Sequence, residues 1–248
     1  MPEFLTFQLY GPMQSWGEIA VGGYRSSATY PSKSAVLGLI AAALGIERSE
    51  ETMIQTLHES LKMAVCVFSE GQMMRDFHTL QEPPKGIYSS RQQEGQAITK
   101  RRFHPKGIST TLSEREYLCD AYFGICLWKN DASTIAFSLQ QVLQALQTPV
   151  FTLYLGRKSC PLALPLAPKL LQAPNLRSVF NNLESFHGLD DLGLNKQSNF
   201  RVYWEQELEE ILGLNALFCI ERPDQLLSRQ RWQFGNRSEY QGFISNQE

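Results

Sequence analysis

Short apolar runs alternate with stretches of helical period along the first two thirds of the chain. Residues 4–10 (FLTFQLY) are apolar and aromatic and run into Gly11-Pro12, which predicts a strand closed by a turn. Residues 11–30 keep no period and read as a long loop. Ser32 is placed to cap a helix in which Val36, Leu37, Ile40 and Leu44 share a face, with Gly45 as its stop. A second helix is predicted from Ser49, burying Ile54, Leu57 and Leu61. Residues 63–68 (MAVCVF) form an apolar run of strand length, and residues 73–80 read as its returning partner. The strongest strand signal is residues 117–128 (YLCDAYFGICLW). After it, Ile135, Leu139, Val142, Leu143 and Leu146 make one helical face that Pro149 closes. The last strand is either residues 150–155 or residues 164–172, and periodicity leaves both open. The order is then βαββαβ, the split βαβ of ferredoxin-like (RRM-like) α+β folds, with two helices on one face of an antiparallel sheet. Beyond Pro174 the signal thins to residues 201–204 and 214–220, read as two strands of a smaller C-terminal unit.

With 248 residues and 43% hydrophobic content, the chain can bury a sizeable core, which excludes disorder and a disulfide-stapled miniprotein. The longest apolar run, residues 35–46, is too short to span a bilayer, and no basic leader precedes Phe4. A soluble cytoplasmic protein without a membrane partner is expected. Five cysteines form no C-x-x-C pair and their odd number cannot pair off completely, which predicts reduced thiols. Cys66, Cys119 and Cys126 among them are expected as small hydrophobes in strands. The four histidines are scattered without ligand spacing, so neither zinc nor another cofactor is expected.

The net charge of −2 and the pI near 6.1 conceal a basic segment. Residues 85–106 carry Lys85, Arg91, Lys100, Arg101, Arg102 and Lys106 against only Glu94. Glycines and prolines mark this stretch as a long excursion rather than a regular element. Cations interleaved with Tyr88, Phe103 and His104 suit a phosphate backbone and unstacked bases; a solvated loop is the alternative. Gly156, Arg157, Lys158 and Ser159 follow a strand end, where a glycine permits close approach and the cations and hydroxyl suit a phosphodiester. A plain surface turn has the same composition, and the Walker pattern is absent. Gln14, Ser15 and Trp16 lie in the loop after the first strand, with Arg25 nearby; Trp16 either stacks on a base or covers the core edge. Lys33 and Ser34 open the first helix, whose free N–H groups favour an anion. Arg229, Arg231 and Arg237 with Trp232 and Phe234 form a further basic and aromatic cluster of open role. For catalysis, only His78 stands out. It lies two residues after Asp76 on one strand face, opposite Arg75, and could act as acid or base in metal-free RNA cleavage.

Four motifs, residues 11–17 (GPMQSWG), 30–39 (YPSKSAVLGL), 115–120 (REYLCD) and 154–162 (YLGRKSCPL), closely resemble the CasD family of CRISPR-associated proteins. These are subunits of the type I-E Cascade complex, within the RAMP superfamily, and the resemblance covers about residues 1–170. It implies a ferredoxin-like RAMP domain over 1–173 with a thumb-like insertion at 81–113, beside which the strand signals beyond Pro174 leave a small, mainly β unit over 174–248. It further implies a non-catalytic subunit of an antiviral, RNA-guided complex that binds the 5′ handle of the CRISPR RNA and caps the backbone. Backbone and large subunits would be its neighbours, and target DNA would be met only through the assembled complex. The RNA contacts so expected are Gln14, Ser15, Trp16, Arg25, Lys33, Ser34, Arg75, Lys100, Arg101, Arg102, Arg115, Gly156, Arg157, Lys158 and Ser159, with no metal. The alternative is a metal-independent endoribonuclease that processes precursor CRISPR RNA through His78.

Overall fold

The apolar runs of the sequence become the centre of a seven-stranded antiparallel sheet. The computed structural model describes residues 1–20, 22–82, 109–130, 137–182, 186, 192, 199–205 and 213–245. In chain order come β1 (Glu3–Tyr10), the two-residue strands β2 (Met13–Gln14), β3 (Trp16–Gly17), β4 (Tyr24–Arg25) and β5 (Ser27–Ala28), then α1 (Lys33–Leu44) and α2 (Glu51–Ser60). There follow β6 (Leu61–Ser69), β7 (Gln72–Glu82), β8 (Ser109–Cys119), β9 (Tyr122–Lys129), α3 (Leu139–Gln147), β10 (Lys169–Gln172), α4 (Leu176–Asn181), β11 (Asn199–Trp204), β12 (Phe218–Ser228) and β13 (Gln233–Ser245). The large sheet runs β10-β1-β9-β6-β11-β13-β12.

Alternate residues of its central strands feed two cores. Leu5, Phe7, Leu9, Met63, Val65, Phe123 and Ile125 meet the apolar faces of α1, α2 and α3. Phe4, Cys66, Phe68, Cys126 and Trp128 point the other way, against Leu176, Val179 and Phe180 of α4, Phe186, and Phe200 and Trp204 of β11. Burial on both faces is why these strands read as unbroken apolar runs instead of alternating ones. The sequence predicts helices on one face only; the second cover is α4, whose six residues are too few to show a period. The expected ends of α1 are present: Ser32 Oγ accepts the Ala35 N–H at 3.2 Å, and Gly45, at a φ of 77°, closes the helix.

Elsewhere the structure corrects the sequence. Residues 11–30 are not a plain loop, because β3 pairs with β5 while β2 and β4 flank β8. β7 does not return onto β6; it pairs with β8, from Gln72 opposite Cys119 to Glu82 opposite Ser109, as a long ribbon within a separate four-stranded sheet that also holds β2 and β4. Residues 117–128 are two strands, since Asp120, at a φ of 55°, turns the chain between β8 and β9. Leu61 is buried as expected but begins β6. Residues 164–172 supply the last core strand, with β10 antiparallel to β1, whereas the 150–155 segment contributes a single bridge between Tyr154 and Pro161. β12 starts at Phe218, and β11 joins β6, so the C-terminal strands continue the same sheet. All five cysteines are free, with Cys66 and Cys126 buried, Cys119 partly so and Cys219 exposed. No helix among the described residues is long and apolar enough to cross a membrane. The basic cluster of residues 85–106, Ile135 and His187 lie outside the described residues.

Candidate nucleic-acid interface

An open groove of about 2010 Å³ passes over Ser34, Gly38 and Ala42 of α1, whose small side chains keep its floor low. Ser15, Gly17 and Arg25 line it, together with Tyr154, Gly156 and Lys158, and with Arg222, Arg229, Trp232 and Phe234 from β12, β13 and the turn between them. Three segments far apart in sequence, each singled out by its chemistry, thus meet on one surface.

The turn at residues 155–160 is clipped to the segment after β1. Leu155 exchanges backbone hydrogen bonds with its surroundings: its N–H donates to Cys160 O at 2.8 Å and its carbonyl accepts from the Ser15 N–H at 3.1 Å. A Cβ on Gly156 would stand 1.8 Å from the Ser15 carbonyl oxygen, and the residue sits at a φ of 84°. Glycine is therefore required here by the protein's own backbone, a constraint the sequence does not show, and Gly156 also lines the groove. Lys158 and Ser159 are left exposed on the turn. Arg157 lies 4.9 Å over the Tyr117 ring, and its buried Nη1 has no hydrogen-bond partner among the described residues.

Four other candidates turn inward. Gln14 is fully buried and donates to the Ala121 carbonyl while accepting from Trp16 Nε1 at 3.1 Å. Ser15 Oγ donates to the Glu116 carbonyl at 3.2 Å. Trp16 is 1% exposed and meets Phe123 edge-on, so it covers the core and offers no ring face to a base. The start of α1 is already filled by the protein's own anion. The Lys33 N–H donates to Asp224 Oδ2 at 2.9 Å, and Lys33 Nζ lies 2.8 Å from Glu205. Arg237 grips Asp224 with two hydrogen bonds of 2.8 and 2.9 Å and reaches Glu239 at 2.6 Å, while Arg222 pairs with Glu239 at 3.4 Å. Burial alone would raise the Asp224 carboxyl, but Arg237, Arg222 and the Lys33 N–H hold it below its ordinary range. Burial pushes the Lys33 ammonium down, against the pull of Glu205. A helix end closed by a buried carboxylate does not offer its N–H groups to a phosphate, which overturns the anion expectation at Lys33.

Arg75 lies on the ribbon, paired with Glu116 at 3.1 Å and Glu114 at 3.6 Å and stacked over Tyr24. The Tyr24 hydroxyl first, then the Ser27 N–H and Arg75, keep the Glu116 carboxyl below the usual carboxylate range. Arg115 stands beside Arg25 in the parallel pairing of β8 with β4. Neither has an ion-pair partner among the described residues. His78 Nε2 is 2.7 Å from Asp76 Oδ2 on β7, as the strand period predicts. Lys100, Arg101 and Arg102 lie outside the described residues. The structure thus gathers Ser15, Arg25, Ser34, Gly156 and Lys158 in the groove and leaves Arg75, Arg115 and His78 on the ribbon. Sequence reasoning missed Arg48, His58 and Arg222 as groove residues, because each sits alone in the chain and meets the others only through folding.

Residues 4–238 match the profile of a family described as CRISPR-associated protein (Cas_Cas5). The chain is 33% identical over 199 residues to CRISPR system Cascade subunit CasD of Escherichia coli (strain K12), an alignment covering 76% of this chain and 80% of that protein. Among solved structures, a chain of a CRISPR RNA-guided surveillance complex superposes with a TM-score of 0.61 at 22% identity, covering 98% of this chain and 89% of the other. A structure described as a Cas protein gives 0.59 at 23% identity, covering 98% and 95%. At these identities the likeness is one of fold.

Proposed function

Because the chain belongs to the Cas5 family of CRISPR-associated proteins, which includes the Cascade subunit CasD, we propose that it is a subunit of an RNA-guided antiviral surveillance complex. In this reading it holds the 5′ handle of the CRISPR RNA, caps the backbone of the complex without cutting RNA, and acts in the cytoplasm. Its partners are the CRISPR RNA and the backbone and large subunits, with target DNA met only through the assembly. The β10-β1-β9-β6 portion with α1 and α3 is then the ferredoxin-like RAMP core. The β7–β8 ribbon forms the root of a thumb at 81–113, and residues 174–248 are a smaller unit that extends the sheet of residues 1–173.

The observation that carries the reading is the groove. Arg25 and Lys158 line it as exposed cations beside the clipped turn, with Arg157 held against Tyr117 behind them. Cations on a fixed backbone frame bind phosphodiesters through charge-assisted hydrogen bonds. A second reading, metal-independent cleavage, is favoured by the His78–Asp76 pair. One experiment separates them. The pure chain is incubated with precursor repeat RNA in EDTA, alongside Arg157→Ala combined with Lys158→Ala, and His78→Ala. Binding without cleavage, weakened roughly 10- to 100-fold in the double variant, is the expected outcome. A site-specific cut abolished by His78→Ala would replace binding with catalysis, and an unchanged Kd in the double variant would remove the turn from the site.

A further inference from the structure

Arg229, Gln230, Arg231 and Trp232 form the turn between β12 and β13. None of these residues belongs to either hydrophobic core. Trp232 is 62% exposed, whereas Trp16, Trp128 and Trp204 are buried. Its backbone holds a φ of 56°, in the left-handed region that strains an aromatic residue. The Arg229 guanidinium carbon lies 3.8 Å from the indole centroid, and Phe234 meets the ring edge-on with centroids 6.0 Å apart. The ring is thereby held in place while most of its surface stays in solvent.

Two further elements face the same stretch of groove. Arg48 follows α1 and lies close enough to Arg229 to add to burial in pushing that guanidinium's pKa down. Neither arginine has an ion-pair partner among the described residues. Carboxylates of this region are engaged elsewhere: Glu51 accepts from the Ser228 hydroxyl, and Asp224 is gripped by Arg237. Glu47, on the groove rim, takes the Ser49 hydroxyl at 3.5 Å. His58 of α2 lines the groove at 5% exposure, and its Nδ1 has no hydrogen-bond partner among the described residues. Burial lowers its pKa to about 3, so it meets the groove as a neutral hydrogen-bonding ring. A buried polar atom without a partner and two converging cations without a counter-ion are both arrangements that a bound ligand relieves.

We propose that this turn is a separate nucleotide subsite of the groove, taking one unpaired nucleotide of single-stranded RNA. The base stacks on the open face of Trp232, the phosphate lies by Arg48 and Arg229, and a polar base or sugar edge reaches His58. An acidic peptide would find the cations but would leave the indole face unused; a nucleotide uses both. The inference rests on the RNA-binding reading of the groove, but it involves none of the residues at the 154–161 end.

The test exploits Trp232 as the one exposed indole of four. Full-length chain is titrated with short single-stranded RNA of the precursor repeat sequence, and the red-shifted tryptophan emission is followed. Stacking is expected to quench that emission in the unsubstituted chain. Trp232→Ala, folded by its melting curve, should raise Kd by about 5- to 150-fold. Trp232→Phe should restore most of the affinity, and Arg229→Ala should raise Kd and flatten its salt dependence. RNA binding that is weakened by Arg157→Ala with Lys158→Ala, yet causes no quench and is untouched by Trp232→Ala, overturns the subsite and leaves the handle reading standing. Absence of RNA binding by every form overturns both.

Discussion

A methyl group at residue 156 would meet the Ser15 carbonyl oxygen at 1.8 Å, from a backbone with a φ of 84°. Gly156→Ala is therefore expected to lower the free energy of unfolding by about 2–3 kcal/mol, through strain and steric conflict together. Denaturant unfolding checks this, with Lys158→Ala as the exposed neighbour expected to stay within about 0.5 kcal/mol of the original. Equal effects at the two positions would show that the clip to Ser15 does not hold the turn. The same position shows what a sequence conveys at this scale. The motif around Gly156 is legible as special, because a glycine among cations at a strand end suits few purposes. Whether the close approach is to a ligand or to the chain itself depends on Ser15, far away in sequence. Lys33 makes the point again, since its chemistry fits a phosphate site, yet its ammonium is held by Glu205 at a separation of 172 residues. Trp16 and Gln14 likewise carry the right groups for RNA and use them inside the protein.

Elements with a strong local period were legible, and those defined by distant pairing were not. The cap at Ser32, the stop at Gly45 and the apolar face of α3 follow from spacing alone. The ribbon of β7 and β8 did not, because the partner of β7 lies beyond a long basic segment and no local pattern distinguishes it from β6 as a partner. Its exposed apolar side chains, Met73, Phe77, Leu80 and Leu112, also blur the alternation that marks a half-buried strand. The ribbon's hydrogen bonds continue to Glu82 opposite Ser109, so its described part is closed without residues 84–105. Replacing those residues by a short Gly/Ser linker is expected to shift Tm by only a few degrees, roughly what a loss of 1 kcal/mol gives. Incorporation into the complex, measured by copurification with the backbone subunits, should be strongly impaired. Normal incorporation would detach the thumb role from this segment.

For the whole molecule, the decisive feature is a sheet with two covered faces, one of them covered late in the chain. Residues 1–173 alone would lose α4 and β11, leaving Phe4, Phe68, Cys126 and Trp128 against solvent. They would also lose the carboxylate of Asp224 at the start of α1 and Glu205 beside Lys33. Such a fragment is expected to aggregate or to bind a hydrophobic dye without a cooperative thermal transition. A sharp two-state melt from it would establish residues 1–173 as an independent domain. The buried charge network also sets an order in time. Glu205 accepts the Met63 N–H at 3.0 Å across 142 residues. At elongation rates of about 5–20 residues per second, this separation amounts to roughly 7–28 s on the ribosome. Throughout that interval the nascent chain carries an open edge on β6 and an uncovered apolar face. The hairpin bearing Arg229 and Trp232 emerges later still, so the groove gains this wall only after all of its other lining segments have been synthesised, and RNA capture across its full length must wait for it.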